Sequence, residues 1–491
     1  MDGSRVNNRE RDELGERRPC PPLGENDDGR VVRNWKGSES YRPARFVRAC
    51  CVEDIVAVVK DTRRFPGPVR AKGSHHSTTK CIVAEGGTVL DMTGMNRIVC
   101  VDAAAKTITM EAGVLLVDAA KVLEQLGLQF YVNIELGNLT VGSGACCGTK
   151  EASYYSSALA GFEYGQVCSY VVGYKLVQAD GSLLEVLPGD ATRPELLAAL
   201  RSSYGMLGVI YEVTYRVKEL SAMAFAHEVF TVDEFARRLD QIVAPGRSSM
   251  LYLFPFLDRV VVEYRRDNHG PVRTHWQWKL RNWLWETLSP AFGKTVSKYI
   301  PCRGLRYGLV DAWSRLTVLL LRALSGKYTS PADQIIDYPE KGGYAAYTFS
   351  IWAFDKNDYP RVMRAYFEFC REYYRRHRYR CDMLNVGYAL EKDESSLFSY
   401  TRRGFSLTLD PVSTGGPGWD EYLRAFNEFC SANGGKPLFN QTPHLTHEQA
   451  QAAFAPEIAQ FQQLRRASDP HGRFYTPWFQ HLFEGGGEGD T

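Results

Sequence analysis

Six short bends within residues 70–210 constrain this chain more than any other feature. They are Arg70–Lys80 (RAKGSHHSTTK), Asp91–Ile98 (DMTGMNRI), Glu111–Gly113 (EAG), Thr140–Lys150 (TVGSGACCGTK), Ala179–Gly181 (ADG) and Gly205–Ile210 (GMLGVI). Around them stand the β-branched runs VRAKG, GTVLDM, RIVCVD, KTITMEAG and GVIYEVTYRV, which read as strands at short intervals. Glycine at such bends permits positive φ and close approach of one backbone to another. Apolar residues recur at helical spacing in VEDIVAVVK (Val52–Lys60), in VLLVDAAKVLEQLG, which ends at Gly127, and in PELLAALRSSYG, with Pro194 early and Gly205 at its end. Asp180-Gly181 marks a hairpin turn, and TVGSGACCGTK reads as a glycine-rich turn. The segment to about Leu220 is therefore expected to be α+β.

A second unit begins near Ser221. Thr231-Val232-Asp233-Glu234 has the form of a capping box and opens the helix EFARRLDQIV. SSMLYLFPFLDRVVVEYRRD, DMLNVGYALE and FSLTLDPVS read as strands; NDYPRVMRAYFEFCREYYRRH and GWDEYLRAFNEFCSANGG read as helices. This alternation predicts a sheet covered by helices on one face. From Lys436 the chain reads as mostly helical. The expected division is a disordered polar tail over 1–34, a first domain over 35–220, a substrate or cap domain over 221–435, and a helical segment over 436–491 that completes the site.

Composition serves mainly to exclude. A formal charge of +2 over 491 residues carries no global nucleic-acid signature. The 12 cysteines include no CxxC pairs at zinc spacing and read as reduced. The first thirty residues lack the apolar core of a secretory signal. The longest apolar run, LTVLLLRAL (Leu316–Leu324), is short of the ~20 residues a membrane span needs. The default expectation is cytoplasmic. One segment adds to it: His275–Phe292 carries Trp276, Trp278, Trp283 and Trp285 beside Lys279 and Arg281. That composition suits peripheral contact with a membrane, or else a helix packed on the substrate domain.

The bends, taken in order, resemble the PCMH-type FAD-binding domain of the vanillyl-alcohol oxidase superfamily. Arg70-x-x-Gly73-x-x-His76-Ser77 stands for its R-G-x-G-H-S turn. Asp91-Met92-x-x-Met95-Asn96-x-Ile98, Glu111-Ala112-Gly113 and Thr140-Val141-Gly142 with Gly144 and Gly148-Thr149 follow. Ala179-Asp180-Gly181 and Gly205-x-x-Gly208-Val209-Ile210 complete the series. The resemblance implies that FAD is held by Arg70, Gly73, Ser74, His75, His76, Ser77, Gly113, Thr140, Val141, Gly142, Gly144, Gly148, Thr149, Gly208, Val209 and Ile210. It also implies a covalent bond from His76 to the flavin. His75 stands where the family commonly has glycine. Asn138 stands where a second, cysteinyl attachment would require cysteine. No G-x-G-x-x-G opens a helix, so no nicotinamide site is indicated.

The C-terminal half is similar to the sugar-lactone and alditol oxidases and to decaprenylphosphoryl-ribose oxidase. The similarity runs through LNVGYALEKDESSLFSY, GFSLTLDPVSTGGPGW, ANGGKPLFNQTPHLT and RRASDPHGRFYTPWF. Departures sit where those enzymes handle sugar. Val386-Gly387-Tyr388 replaces a Glu-x-Arg pair, Gln441 replaces a lysine, and Lys150 follows the Gly-Thr. The expectation is a largely uncharged pocket with Tyr388, Asn440, Gln441, Lys150 and Lys436 as its catalytic candidates. Tyr388 would accept the proton if a lysine lowered its pKa, Asn440 and Gln441 would hold an oxyanion, and His444 is a spare base. Asp410 reads as a turn-former before Pro411, and Arg376–Arg380 (RHRYR) as a solvated helix end. The resemblance implies FAD-dependent oxidation of an alcohol carbon in a hydrophobic, lipid-linked or secondary-metabolite substrate, with oxygen or another acceptor. Its alternatives are a C=C reductase of the sterol Δ24-reductase type and a non-catalytic flavin-binding scaffold.

Overall fold

The computed structural model describes residues 30–156, 159–190, 192–268 and 270–486. The expected tail lies outside them as far as residue 29, and Val32–Arg33 already pairs with Ser40–Tyr41 in a small ribbon. Arg45–Arg48 (β1), Val69–Lys72 (β2) and Thr88–Asp91 (β3) form a parallel sheet in the order β1-β3-β2. Between β1 and β2 runs Val52–Lys60 (α1), which buries Ile55, Val58 and Val59 on one stripe. Ile98–Asp102 (β4), Thr107–Glu111 (β5), Val171–Val177 (β6), Leu183–Val186 (β7) and Val209–Glu219 (β8) form an antiparallel sheet ordered β7-β6-β8-β5-β4. Leu116–Gln125 (α2) ends before Gly127, whose φ of 70° reverses the chain into the short strand Leu128–Phe130 at the far end of β8.

Two sequence expectations in this unit change. Residues Val141–Cys146 (α3) form a short helix rather than a turn. Gly142 lets this helix lie against β5's exit: its N–H donates to Ala112 O at 2.9 Å, and a Cβ there would crowd Ala112. Pro194–Leu200 (α4) stops five residues before Gly205, because Ser202–Met206 closes into tight turns around Tyr204 and Gly205, both at positive φ.

Ala222–Phe230 (β9), Ser248–Phe254 (β10), Arg259–Asn268 (β11), Trp352–Asp355 (β12), Asn385–Leu390 (β13) and Ser406–Leu409 (β14) build the second unit. They order as β9-β11-β10-β13-β14-β12 in one antiparallel sheet, with Tyr328–Thr329 and Lys436–Pro437 at its edges. Helices Val232–Ile242 (α5), Tyr359–His377 (α9) and Trp419–Ala432 (α10) cover one face. The alternation along β13 sets its two faces. Asn385 donates to Tyr366 of α9 at 2.8 Å, and Gly387 lies against Tyr359 of α9. Val386 and Tyr388 point the other way, toward the first unit. The Thr231–Glu234 capping box forms as expected.

Between β11 and β12 lie Trp276–Trp283 (α6), Ser289–Tyr299 (α7) and Arg303–Ala323 (α8). The tryptophans divide: Trp278 is fully buried and stacks on Phe225, whereas Trp276 is 68% and Trp283 49% exposed. None of the helices described is long and apolar enough to cross a membrane. In the run RHRYR, Arg380 departs from a solvated end. It is buried, lies 3.5 Å over the Phe256 ring and pairs with Asp311. Among the described residues ten cysteines are free, whereas Cys50 is disulfide-bonded, which corrects the expectation that all the cysteines are reduced.

His447–Ser468 (α11) and Pro477–Glu484 (α12) return to the first unit. Val69 N–H donates to Arg473 O at 2.8 Å, Arg473 donates to Val58 O and Val59 O, and Thr78 N–H donates to Asn440 O at 3.0 Å. One continuous buried cluster runs from Val47 to Phe483.

Candidate active site

Where the Gly73–Ser77 and Thr140–Ser143 bends face Val386 and Tyr388 of β13, the two units leave a cavity lined by both and open to solvent at one side. The two bends touch: a Cβ on Gly73 would overlap Thr140 Oγ1 and crowd Ser143 Oγ. Gly208, at φ 146°, is likewise closed to a side chain by Leu176 and Val177. At Gly73 the Thr140 and Ser143 side chains, and at Gly208 the Leu176 side chain and the Val177 carbonyl, take the space a side chain would need.

The turn from Gly73 to Thr78 is pinned from outside. Trp35 N–H donates to His75 O at 2.8 Å, Asn34 donates to Ser77 O at 3.2 Å, and Gln441 Nε2 donates to His76 O at 3.3 Å. His75 takes φ 59°, so the left-handed turn that glycine would adopt freely is kept with a histidine in it. Burial pushes its imidazole down to about 3, Lys72 adding to the effect, and pushes His76 down to about 4. Both rings are therefore neutral near pH 7. His76 Nε2 is buried without a partner, and its ring packs 5.2 Å from Trp35.

The opposite wall is charged, which corrects the expectation of a largely uncharged pocket. Lys150 Nζ meets Asp410 Oδ2 at 2.6 Å, with both side chains buried, and lies 3.8 Å over the Tyr388 ring. Burial raises the Asp410 carboxyl against the pull of Lys150, and Asp410 Oδ1 has no partner. Burial also holds the Tyr388 phenol well above its usual value, with Glu151, Glu135 and Asp410 adding to the effect. The expected route to a phenolate is thus closed, because the lysine sits over the ring face and carboxylates surround it. Sequence reasoning passed over Asp410. The signal was a lone acid ending the apolar strand FSLTLD, a place where a charge needs a buried partner. Trp285, Tyr338, Tyr347 and Phe349 form an aromatic wall.

Of the residues carried over from the resemblance, Gly73, His75, His76, Ser77, Thr140, Gly142, Thr149, Gly208 and Ile210 line the cavity, with Lys150, Tyr388, Asn440 and Gln441. Gly113, Val141, Gly144, Gly148 and Val209 stand one layer behind. Val141 O accepts from Tyr215 and Gly148 O from Tyr400, each at 2.7 Å. Ser74 belongs to the bend itself. Arg70 is a correction: its buried guanidinium donates to the carbonyls of Phe474 at 2.6 Å, Gly205 at 3.4 Å and Tyr204, and so ties loops together behind the wall. Lys436 is another, because its strand lies at the sheet edge and its ammonium faces Phe454 of α11. His444 pairs with Asp420 at 3.1 Å, outside the cavity. Gln441 has both amide atoms engaged, Nε2 on His76 O and Oε1 on Thr78 Oγ1 at 3.1 Å.

The fold and this glycine-walled cavity are similar to those of PCMH-type FAD-binding proteins, and residues 43–187 match the family described as FAD binding domain. Residues 408–482, which contribute Asp410, Asn440 and Gln441, match D-arabinono-1,4-lactone oxidase. Among individual proteins, the L-gulonolactone oxidase of Scyliorhinus torazame is 23% identical over 93% of this chain and 98% of its own length. The L-gulono-1,4-lactone dehydrogenase of Mycobacterium tuberculosis is 29% identical over 50% of this chain, a match that spans 55% of that protein. A cholesterol oxidase variant from Brevibacterium sterolicum superposes with a TM-score of 0.75 over 95% of this chain and 99% of its own, at 14% identity, which is a likeness of fold. The superfamily resemblance read from the bends therefore holds, as does the likeness to aldonolactone oxidases.

Proposed function

We propose that this protein is an FAD-dependent oxidoreductase of the aldonolactone-oxidase type that oxidises a CH–OH carbon of a lactone-like ring. The observation that carries the reading is the buried Lys150–Asp410 pair, set across the cavity from the FAD-binding bends. The residues present fit FAD: crowded glycines leave a backbone-lined cradle, and His76 Nε2 and Asn138 Oδ1 are buried without partners. Gly73, Ser77, Thr140, Gly142, Ser143 and Gly208 would hold it. When bound, FAD supplies an acceptor for the hydride of the substrate carbon. Asp410 Oδ1 takes the hydroxyl proton, because a carboxylate raised by burial is the stronger base. Lys150 holds that carboxylate in place and stabilises negative charge on the substrate oxygen. Asn440 Oδ1, buried and unpartnered, is a further polar contact for the substrate. Gln441 positions the histidine turn.

Covalent attachment through His76 is part of the same reading. A neutral imidazole at the cavity wall, its Nε2 without a hydrogen-bond partner, is the nucleophilic form. His76 would be the residue that holds the flavin covalently. The aromatic wall supports a substrate with an apolar portion beside its oxidised ring. The exposed tryptophans of α6 support contact with a membrane surface.

The test is anaerobic mixing of the yellow holoprotein with L-gulono-1,4-lactone, D-arabinono-1,4-lactone and apolar alcohols. Bleaching by a lactone or an alcohol is the expected result. Bleaching by NADPH alone would replace this reading with a reductase. Acid precipitation should leave the colour on the polypeptide and release it from His76→Ala.

A further inference from the structure

Behind the Lys150–Asp410 pair stands a buried ionic cluster that proton transfer does not use. Glu135 and Glu151, from the first unit, both reach Arg265 on β11, at 4.0 and 2.9 Å. Arg281 of α6 holds Glu135 at 2.5 Å, and Glu263 holds Arg265 at 2.8 Å with His227 on its far side at 3.0 Å. Three carboxylates thus share two guanidiniums. His227 adds a third basic side chain on Glu263, so Glu135 and Glu151 are the two carboxylates whose ion pairs, among the described residues, are with guanidiniums alone. Glu135 and Glu151 are also the two members that line the cavity. Every hydrogen bond and ion pair they make among the described residues ends on Oε1, leaving each Oε2 outside those contacts. A second feature of the same cavity points to a polar ligand: Asp410 Oδ1 and Asn440 Oδ1, on residues 2% and 6% exposed, have no protein partner.

We propose that Glu135 and Glu151, fixed from behind by Arg281 and Arg265, accept hydrogen bonds from two free hydroxyls of the substrate ring and so select a polyhydroxylated lactone. This rests on the reading above and names its specificity-determining residues. Carboxylates are acceptors only, and hydroxyls are the donors they order best. Anchoring by guanidiniums removes the entropy cost of fixing them at binding. The charged wall would orient the polar ring while the aromatic wall takes its apolar portion.

The experiment compares holoenzyme with Glu135→Gln and Glu151→Gln. Each variant leaves two carboxylates for two guanidiniums and keeps the side-chain shape; an unchanged flavin spectrum and melting temperature establish that the protein is folded. Two readouts are followed anaerobically: the flavin spectral shift, for binding, and bleaching, for reduction. The probes are L-gulono-1,4-lactone and γ-butyrolactone, which carries no hydroxyl. The expected result is about 10- to 100-fold weaker binding of the hydroxylated lactone by each variant, the loss of a charge-assisted hydrogen bond. Butyrolactone affinity should be unchanged. Equal affinity of wild type and variants for the hydroxylated lactone overturns the proposal. Weakened binding without bleaching in any form would sustain the hydroxyl site and overturn the oxidation reading. No spectral response to the hydroxylated lactone in the wild type overturns both.

Discussion

At the scale of single residues, the proposed chemistry rests on Asp410 and His76, with His75 shaping the turn that carries His76. Asp410→Asn should keep its flavin and lose about 10²- to 10⁴-fold in the rate of flavin reduction, the usual range for a proton acceptor. Burial raises this carboxyl. The wild-type rate should therefore climb with pH along a limb lying above the ordinary aspartate value of about 3.9, and stopped-flow bleaching of the Asn variant should lack that limb. His75 makes the opposite kind of statement. Its folded value, about 3, lies below the unfolded value of about 6.5. The stability it contributes is complete above pH 6.5 and is lost as pH falls toward 3, about 2 kcal/mol of it by pH 5. His75→Gly should shed that loss and relieve about 1 kcal/mol of left-handed strain, offset in part by its lost edge contact with Tyr41. Urea unfolding at pH 7.5 and 5.0 reads both effects, and an equal pH drop in the two proteins would refute the assignment.

Among the elements, α6 shows how one short helix serves two surroundings. Trp278 and Arg281 enter the core, while Trp276, Leu280 and Trp283 share an exposed stripe at spacings of four and three. Trp276→Ser combined with Trp283→Ser should weaken flotation with anionic liposomes several-fold and leave flavin reduction unchanged. Unaltered flotation would return the stripe to plain surface. The strand β13 teaches a related lesson. Its alternation was legible in LNVGYALE, but which of its faces met helices and which met the cavity was decided by α9.

For the molecule as a whole, the C-terminal segment is a clasp on the first unit. Arg70 is its inner hook, with donors on carbonyls at 204, 205 and 474. Arg70→Met should cost about 3–5 kcal/mol, because buried carbonyls lose a charged donor, and should lower the urea midpoint. The protein that remains folded should keep a normal flavin spectrum, since Arg70 lies behind the wall; a bleached or shifted spectrum in the folded fraction would place it at the cofactor instead. Reading Arg70 from its motif alone assigned it to the cofactor, because spacing along the chain does not say on which side of a strand a guanidinium finds its acceptors.

Local order was enough for the bends, the strands between them, the capped helix at Thr231 and the FAD-binding class of the first unit, because glycine, proline and side-chain periodicity act within a few residues. Asp410 beside Lys150, and Arg265 beside Glu135 and Glu151, join positions more than a hundred residues apart. Which charges compensate one another in a low-dielectric interior depends on distance in space, and only the packing of the second sheet against the first unit set those distances.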